Sequence, residues 1–159
     1  MAVKPRSKML AFLFVPFALL VLVVSLSLYS GFSVWGLFRQ APENALEIKV
    51  TGYQWYWKFD YGQGIISDQL NVPVGQTVIL NLTSGDVAHS FSVDQFGIEE
   101  DVLPGQITSV RFQPQKAGSS VAICGVLCGT RHSLMKTNVN VLPTDAYAEW
   151  YAKAKAEVY

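Results

Sequence analysis

The sequence predicts an all-β, Greek-key β-sandwich behind one N-terminal transmembrane helix, closed by a short C-terminal helix. Three observations carry that expectation. Residues 9–38 hold no charged side chain. Short runs rich in β-branched and aromatic residues then recur through 45–142, punctuated by Pro and Gly turns. Beyond Pro143 the chain turns to Ala, Glu and Lys, which favour helix. The expected organisation is an N-terminal segment at 1–8, a membrane anchor at 9–35, a linker at 36–44, the sandwich at 45–142 and a helix at 143–159.

The anchor is long enough, since about 20 apolar residues rising ~1.5 Å each span a hydrocarbon core of roughly 30 Å. Pro16 is tolerable there because a partner helix or a local adjustment satisfies the freed carbonyl. Tyr29, Phe32 and Trp35 suit an outer interface. The apolar stretch exceeds that of a secretory signal and no A-x-A pattern follows it, which favours an uncleaved anchor over a cleaved leader. Lys4, Arg6 and Lys8 precede it with no acidic residue. The positive-inside rule therefore leaves the amino terminus in the cytoplasm and the sandwich outside, in a single-pass protein embedded in membrane lipid.

Within the sandwich, Leu46 to Val50 and Tyr53 to Tyr61 read as aromatic-rich strands. Gln76 to Leu82 follows, with Val78, Leu80 and Leu82 on one face, then Ser90 to Val93, Ile107 to Phe112, Ser119 to Ile123 and Thr137 to Leu142. Turn signals at Pro73-Val-Gly75, Pro104-Gly105 and Ala117-Gly118 separate them. Seven or so strands at that spacing argue for a sandwich of one small domain. In the closing helix Thr144 suits the N-cap, and Tyr147, Trp150, Tyr151, Ala154 and Val158 share a face that would cover the sandwich, ahead of the alternative that it docks against another subunit.

Charge excludes one class of partner. The chain has twelve Lys and Arg against twelve Asp and Glu, and three of the basic residues precede the anchor, leaving nine against twelve beyond it. A balance of −3 offers no basic surface for nucleic acid. No C-x-x-C-H is present, so the chain attaches no c-type haem.

Chemistry concentrates in Cys124-Gly-Val-Leu-Cys128-Gly-Thr-Arg-His132-Ser-Leu-Met135, which holds both cysteines and one of the two histidines. Soft sulfur with imidazole suits copper. A mononuclear blue-copper site needs one Cys, two His and a weak axial Met. Here a second cysteine precedes that set by four positions, so two thiolates could each bridge a pair of copper ions, with one histidine for each metal. The second imidazole would have to be His89, in Asp86-Val-Ala-His89-Ser-Phe91. Three other readings stay open: a disulfide, which fits an extracytoplasmic pair of cysteines; a zinc tetrahedron of two Cys and two His, which leaves Met135 without a role; and histidines that are ordinary polar residues. Gly125 and Gly129 would let the loop turn tightly, and the flanking strands would hold it rigid.

This loop, together with Gly52-Tyr53-Gln54-Trp55-Tyr56-Trp57 and Asp86-Val-Ala-His89-Ser-Phe91, resembles subunit II of the haem-copper cytochrome c oxidases, from the anchor to about Leu142. The resemblance implies a cupredoxin fold and a dinuclear copper centre, CuA. It implies that Cys124 and Cys128 bridge the coppers, that His89 and His132 bind one each, and that Met135 and the backbone carbonyl of Val126 are weak ligands. It implies electron transfer from a cytochrome c to haem in the catalytic subunit I, with Trp55 as the point of entry, in a bacterial cell membrane. Many relatives have Glu where this chain has Val126, and its side chain helps to hold magnesium; valine offers no such oxygen, so no magnesium is expected. The single anchor and short length resemble the compact ba-type branch.

Trp55 also alternates with Tyr53, Trp57 and Phe59 in a way that would pack a strand. Asp86, Asp94, Glu99, Glu100 and Asp101 cluster around and after His89, where they would steer a basic cytochrome or form a solvated loop. Within the metal class, a nitric oxide reductase subunit with the same copper centre is the closest rival reading. Nitrous oxide reductase shares the motif but fits the anchor and length poorly. An anchored copper-delivery protein is the alternative outside it, while a quinol oxidase subunit would lack these ligands.

Overall fold

In a computed structural model, which describes residues 6–39 and 44–158, the apolar run forms one helix, α1 (Arg6–Arg39), with Pro16 inside it. Its segment Phe14–Trp35 has a mean hydropathy of 2.1 and is long and apolar enough to cross a membrane. The hydroxyls of Ser25, Ser27 and Ser33 donate to the carbonyls of Val21, Val23 and Tyr29, and that of Ser30 to Ser27. These polar side chains are thus satisfied by their own helix, as an apolar surrounding requires. The expected linker at 36–44 starts later, because α1 continues to Arg39; residues 40–43, and 1–5 of the expected N-terminal segment, lie outside the described residues. The chain divides into a unit Met1–Ala41, which contains α1, and a unit Pro42–Tyr159.

The second unit holds ten strands among the described residues: β1 (Leu46–Tyr53), β2 (Tyr56–Asp60), β3 (Ile66–Ser67), β4 (Leu70–Pro73), β5 (Val78–Ser84), β6 (His89–Val93), β7 (Ile98–Val102), β8 (Thr108–Phe112), β9 (Gly118–Cys124) and β10 (Lys136–Leu142). They form two five-stranded sheets, ordered β3-β2-β1-β5-β8 and β4-β10-β9-β6-β7. Pairing is antiparallel except for β1 with β5 and β4 with β10. Alternate residues face the space between the sheets: Ile48 and Val50 on β1, Trp57 and Phe59 on β2, Val78, Leu80 and Leu82 on β5, Phe91 and Val93 on β6, Val139 and Val141 on β10. Phe91 meets Trp57 and Phe59 edge-on, with ring centroids 5.0 and 6.3 Å apart, the geometry that aromatic quadrupoles favour.

The sandwich expected from the sequence is present, with local corrections. The stretch read as one strand from Tyr53 to Tyr61 is broken by a turn at Gln54 and Trp55, which folds β1 back onto β2 so that Tyr53 faces Tyr56. Unbroken aromatic character concealed that turn, since neither Gly nor Pro marks it. Three strands went unread. The first, β3, is two residues long; β4 is buried throughout and shows no alternation; and β7 carries Glu99, Glu100 and Asp101, whose charge reads as loop. Acidic residues are tolerable on β7 because it is a sheet edge.

The closing helix, α2 (Thr144–Ala156), begins at Thr144, so the cap position falls to Pro143 and no side chain caps it. Trp150, Tyr151 and Ala154 pack against the core, as their shared face predicts, whereas Val158 is largely exposed. Trp150 meets the buried Tyr61 edge-on at 5.0 Å. The Tyr61 hydroxyl donates to the carbonyl of Asn71 (3.0 Å) and accepts from its N–H (2.7 Å). Burial pushes this phenol above its ordinary pKa, so it stays a neutral donor. Tyr61→Phe leaves both Asn71 backbone groups unpaired, and urea unfolding should register a loss of about 1–3 kcal/mol.

Candidate metal centre

One end of the second sheet gathers the chemistry. Strand β9 runs antiparallel to both β6 and β10, so the end of β9 lies beside the starts of its two neighbours. Cys124 ends β9, His89 starts β6, and Met135 stands immediately before β10. The N–H of Cys124 donates to the carbonyl of Met135 (3.1 Å), closing the intervening loop at its base. A short 3-10 turn over His132–Leu134 then carries the remaining imidazole.

The donors form one continuous chain of contacts. The sulfurs of Cys124 and Cys128 are 3.6 Å apart, and His89 Nδ1 lies 3.8 Å from Cys124 Sγ. His132 Nδ1 is 3.7 Å, and Met135 Sδ 3.6 Å, from Cys128 Sγ. The carbonyl oxygen of Val126 is 3.2 Å from Cys124 Sγ. All six groups expected from the sequence are therefore brought together. His89, Cys124 and Cys128 by themselves lie close enough to share a metal ion. At 3.6 Å the two sulfurs stand well beyond the ~2.05 Å of a disulfide. His89 is fully buried, Cys124, Cys128 and Met135 nearly so, and His132 half-buried.

Asp86 sets the state of His89. Its Oδ1 lies 2.8 Å from His89 Nε2 and accepts the N–H of Val87 (2.6 Å), while Oδ2 accepts the N–H of Gln54 (2.7 Å). Desolvation alone would raise this carboxyl; the hydrogen bonds from His89, Gln54 and Val87 outweigh it and hold the pKa below its ordinary value. An ionised carboxylate only accepts, so the proton of His89 belongs on Nε2 and Nδ1 keeps its lone pair toward the sulfurs. Metal-binding histidines are usually oriented in this way. The sequence reading treated Asp86 as a steering charge and missed this role, although a carboxylate three residues before a candidate ligand was the available signal.

Burial pushes the Cys128 thiol up to about 11, with its hydrogen bond to Cys124 and the charge of that neighbour acting in the same direction. A cation entering the cluster has to displace that proton. The donor set of two thiols, two imidazoles and a thioether is soft and suits copper. Val126 is exposed and brings no side-chain oxygen for a hard cation.

Trp55 stands in the turn rather than in a strand. It is half-buried against the core, with the Arg131 guanidinium 6.0 Å from its ring centroid. A Cβ on Gly129, next to Cys128, would lie 3.3 Å from Trp55 Nε1. Glu99, Glu100 and Asp101 form the edge strand beside His89 and its successors, with Asp101 opposite Ser90, so they are neither a loop nor in the donor cluster.

A two-sheet sandwich that seats thiols, imidazoles and a thioether at the end of one sheet is a cupredoxin-like domain. The family model described as cytochrome c oxidase subunit II, periplasmic domain, matches residues 65–142. Cytochrome c oxidase subunit 2 of Cereibacter sphaeroides is 30% identical over 88% of this chain and 60% of its own length. That of Thermostichus vulcanus is 39% identical over 74% of this chain and 35% of its own length. The periplasmic domain of subunit II from Bradyrhizobium japonicum superposes with a TM-score of 0.69 at 28% identity, covering 76% of this chain and all of that domain. The chain belongs to the cytochrome c oxidase subunit II family. It spans about a third to three fifths of the length of these two relatives.

A carboxyl with a lowered folded-state pKa stabilises above its unfolded value and loses that contribution as pH falls through the folded one. The stability gap between metal-free wild type and Asp86→Asn should therefore be widest above the ordinary carboxylate range of about 4 and close below it. Thermal melts across the acid range measure it.

Proposed function

We propose that this chain is the electron-entry subunit of a haem-copper terminal oxidase, holding a dinuclear CuA centre on Cys124, Cys128, His89, His132, Met135 and the carbonyl of Val126. The observation that carries this reading is the unbroken run of six donors, each within 3.8 Å of a cysteine sulfur. Bound there, the centre supplies one-electron exchange between a cytochrome c and the haem of catalytic subunit I, where oxygen is reduced. A zinc tetrahedron would leave the buried Met135 thioether unused, whereas copper accepts it as a weak ligand.

The chain's own residues supply position. Cys124 and Cys128, with sulfurs 3.6 Å apart, each have a different imidazole beside them, His89 and His132 respectively. Asp86 fixes the tautomer and orientation of His89. Strands β9 and β10 pin the loop at its base, which keeps ligand movement small when the oxidation state changes. Trp55, packed beside Gly129, is the entry point for the electron. Asp94, Glu99, Glu100 and Asp101 attract a basic donor protein through long-range field. The helix α1 anchors the domain as a single pass, with Lys4, Arg6 and Lys8 on the cytoplasmic side and the sandwich outside the bacterial cell membrane.

Electron paramagnetic resonance of the full chain in detergent, loaded with copper, should give a seven-line pattern from one electron shared by two coppers, with two coppers bound per chain. A four-line mononuclear signal would overturn the reading. In the assembled oxidase, Trp55→Phe should slow oxidation of reduced cytochrome c by about tenfold or more, ~1.4 kcal/mol on the barrier, with the copper spectrum unchanged. An unchanged rate would return Trp55 to a packing role.

A further inference from the structure

The turn that the sequence concealed lies between the two segments that carry the donors. Gln54 sits at the surface, yet both of its hydrogen bonds run inward. Its backbone N–H donates to Asp86 Oδ2 (2.7 Å), and the other oxygen of that carboxylate holds His89 Nε2. Its side-chain Nε2 donates to the backbone carbonyl of Cys128 (2.7 Å). One residue therefore grips both the segment that supplies His89 and the loop that supplies the other donors. Next to it in the chain is Trp55. The fit is close: a Cβ on Gly129 would stand 2.8 Å from Gln54 Nε2, at a φ of +126° that disfavours any side chain. On the other flank, the N–H of Gly85 donates to Gly52 O (3.0 Å), and a Cβ on Gly85 would collide with the Tyr53 ring.

We propose that Gln54 is a positioning residue for the metal centre, a two-sided clamp that keeps the Cys128 backbone and, through Asp86, the His89 ring in fixed relation. The inference rests on the dinuclear copper reading and deepens it. Strands β6 and β9 set the backbones of His89 and Cys124, but Cys128 lies mid-loop, where no strand pairing reaches it. Rotation of the Cys128 peptide would swing its sulfur relative to Cys124, and the Gln54 amide restrains that rotation from outside the loop. The same side chain also completes a bonded route from Trp55, through the Gln54 amide and the Cys128 carbonyl, to the Cys128 sulfur.

The test is the full chain in detergent, loaded with copper, with Gln54→Met as the variant, since methionine has the reach of glutamine but no donor. Two coppers per chain should remain bound, while hyperfine splitting, thiolate-to-copper absorption and reduction potential all shift. Affinity measured against a copper chelator should fall about 10–100-fold, the usual effect of losing a partner that orients a ligand. Gln54→Leu, which also lacks the donor and leaves the loop backbone untouched, should move the same signals and serves if Gln54→Met fails to fold. Gln115→Met, which removes a surface bond to Gln113, should move none of them. A Gln54→Met protein with wild-type spectra, potential and chelator affinity overturns the proposal, even if its melting temperature drops. One copper or none in the wild type would instead overturn the dinuclear reading, and this inference with it.

Discussion

The site depends on the pairing of β9 with β10, whose last backbone hydrogen bond, from Cys124 N–H to Met135 O, closes the loop over 124–135 at its base. It makes the two ends of the loop the last inward-facing positions before and after a sheet pairing, so a sulfur from each end reaches the core. Further along the loop, Cys128 Sγ comes within 3.6 Å of both Cys124 Sγ and Met135 Sδ, with His132 Nδ1 3.7 Å away. Cys124, Cys128 and Met135 belong to the same buried cluster as Phe91 and Val139. The donors are therefore an extension of the hydrophobic core, with the close packing and small freedom of movement that interiors have.

Register supplies the donor that the loop lacks. Phe91 on β6 faces Cys124 on β9, and Ser92 faces Ile123. A slip of one residue would turn Cys124 outward and Ile123 inward, because strand side chains alternate. The aromatic packing of Phe91 against Trp57 and Phe59 opposes that slip, and Trp57 also meets the His89 ring edge-on at 5.9 Å. Residues with no capacity to bind a metal thus decide whether the imidazole and the thiols meet.

This division explains what could be read from the sequence. Cys124, Cys128, His132 and Met135 were legible because their grouping is local, and His89 because no other histidine was left. The alternation of Val78, Leu80 and Leu82 gave β5 directly. Partners formed at long range were not legible. Asp86 looked like one more surface acid, and Gln54 carried no role of its own, since nothing in a linear reading shows that Gln54 and Cys128 become neighbours. β7 was hidden because an edge strand can carry charge, and β4 because burial on both faces removes alternation. The cap on α2 failed by one position: proline already holds φ near −65°, so Pro143 can precede the first helical residue without a side-chain oxygen.

The hydroxyls of α1 and of Tyr61 are satisfied in a way that the sulfur cluster is not. In α1 the serine hydroxyls fold back onto carbonyls of their own helix, and in the sandwich the Tyr61 hydroxyl is saved from burial without a partner by both backbone groups of Asn71. The cluster has no comparable internal solution. Thiols and thioethers are weak hydrogen-bonding groups, and contacts of 3.6 to 3.8 Å among them and the imidazoles satisfy little. Burial keeps Cys128 protonated in the metal-free state. A soft cation would exchange those weak contacts for coordination by ligands already held in place, so most of the ordering cost is met by folding rather than by binding.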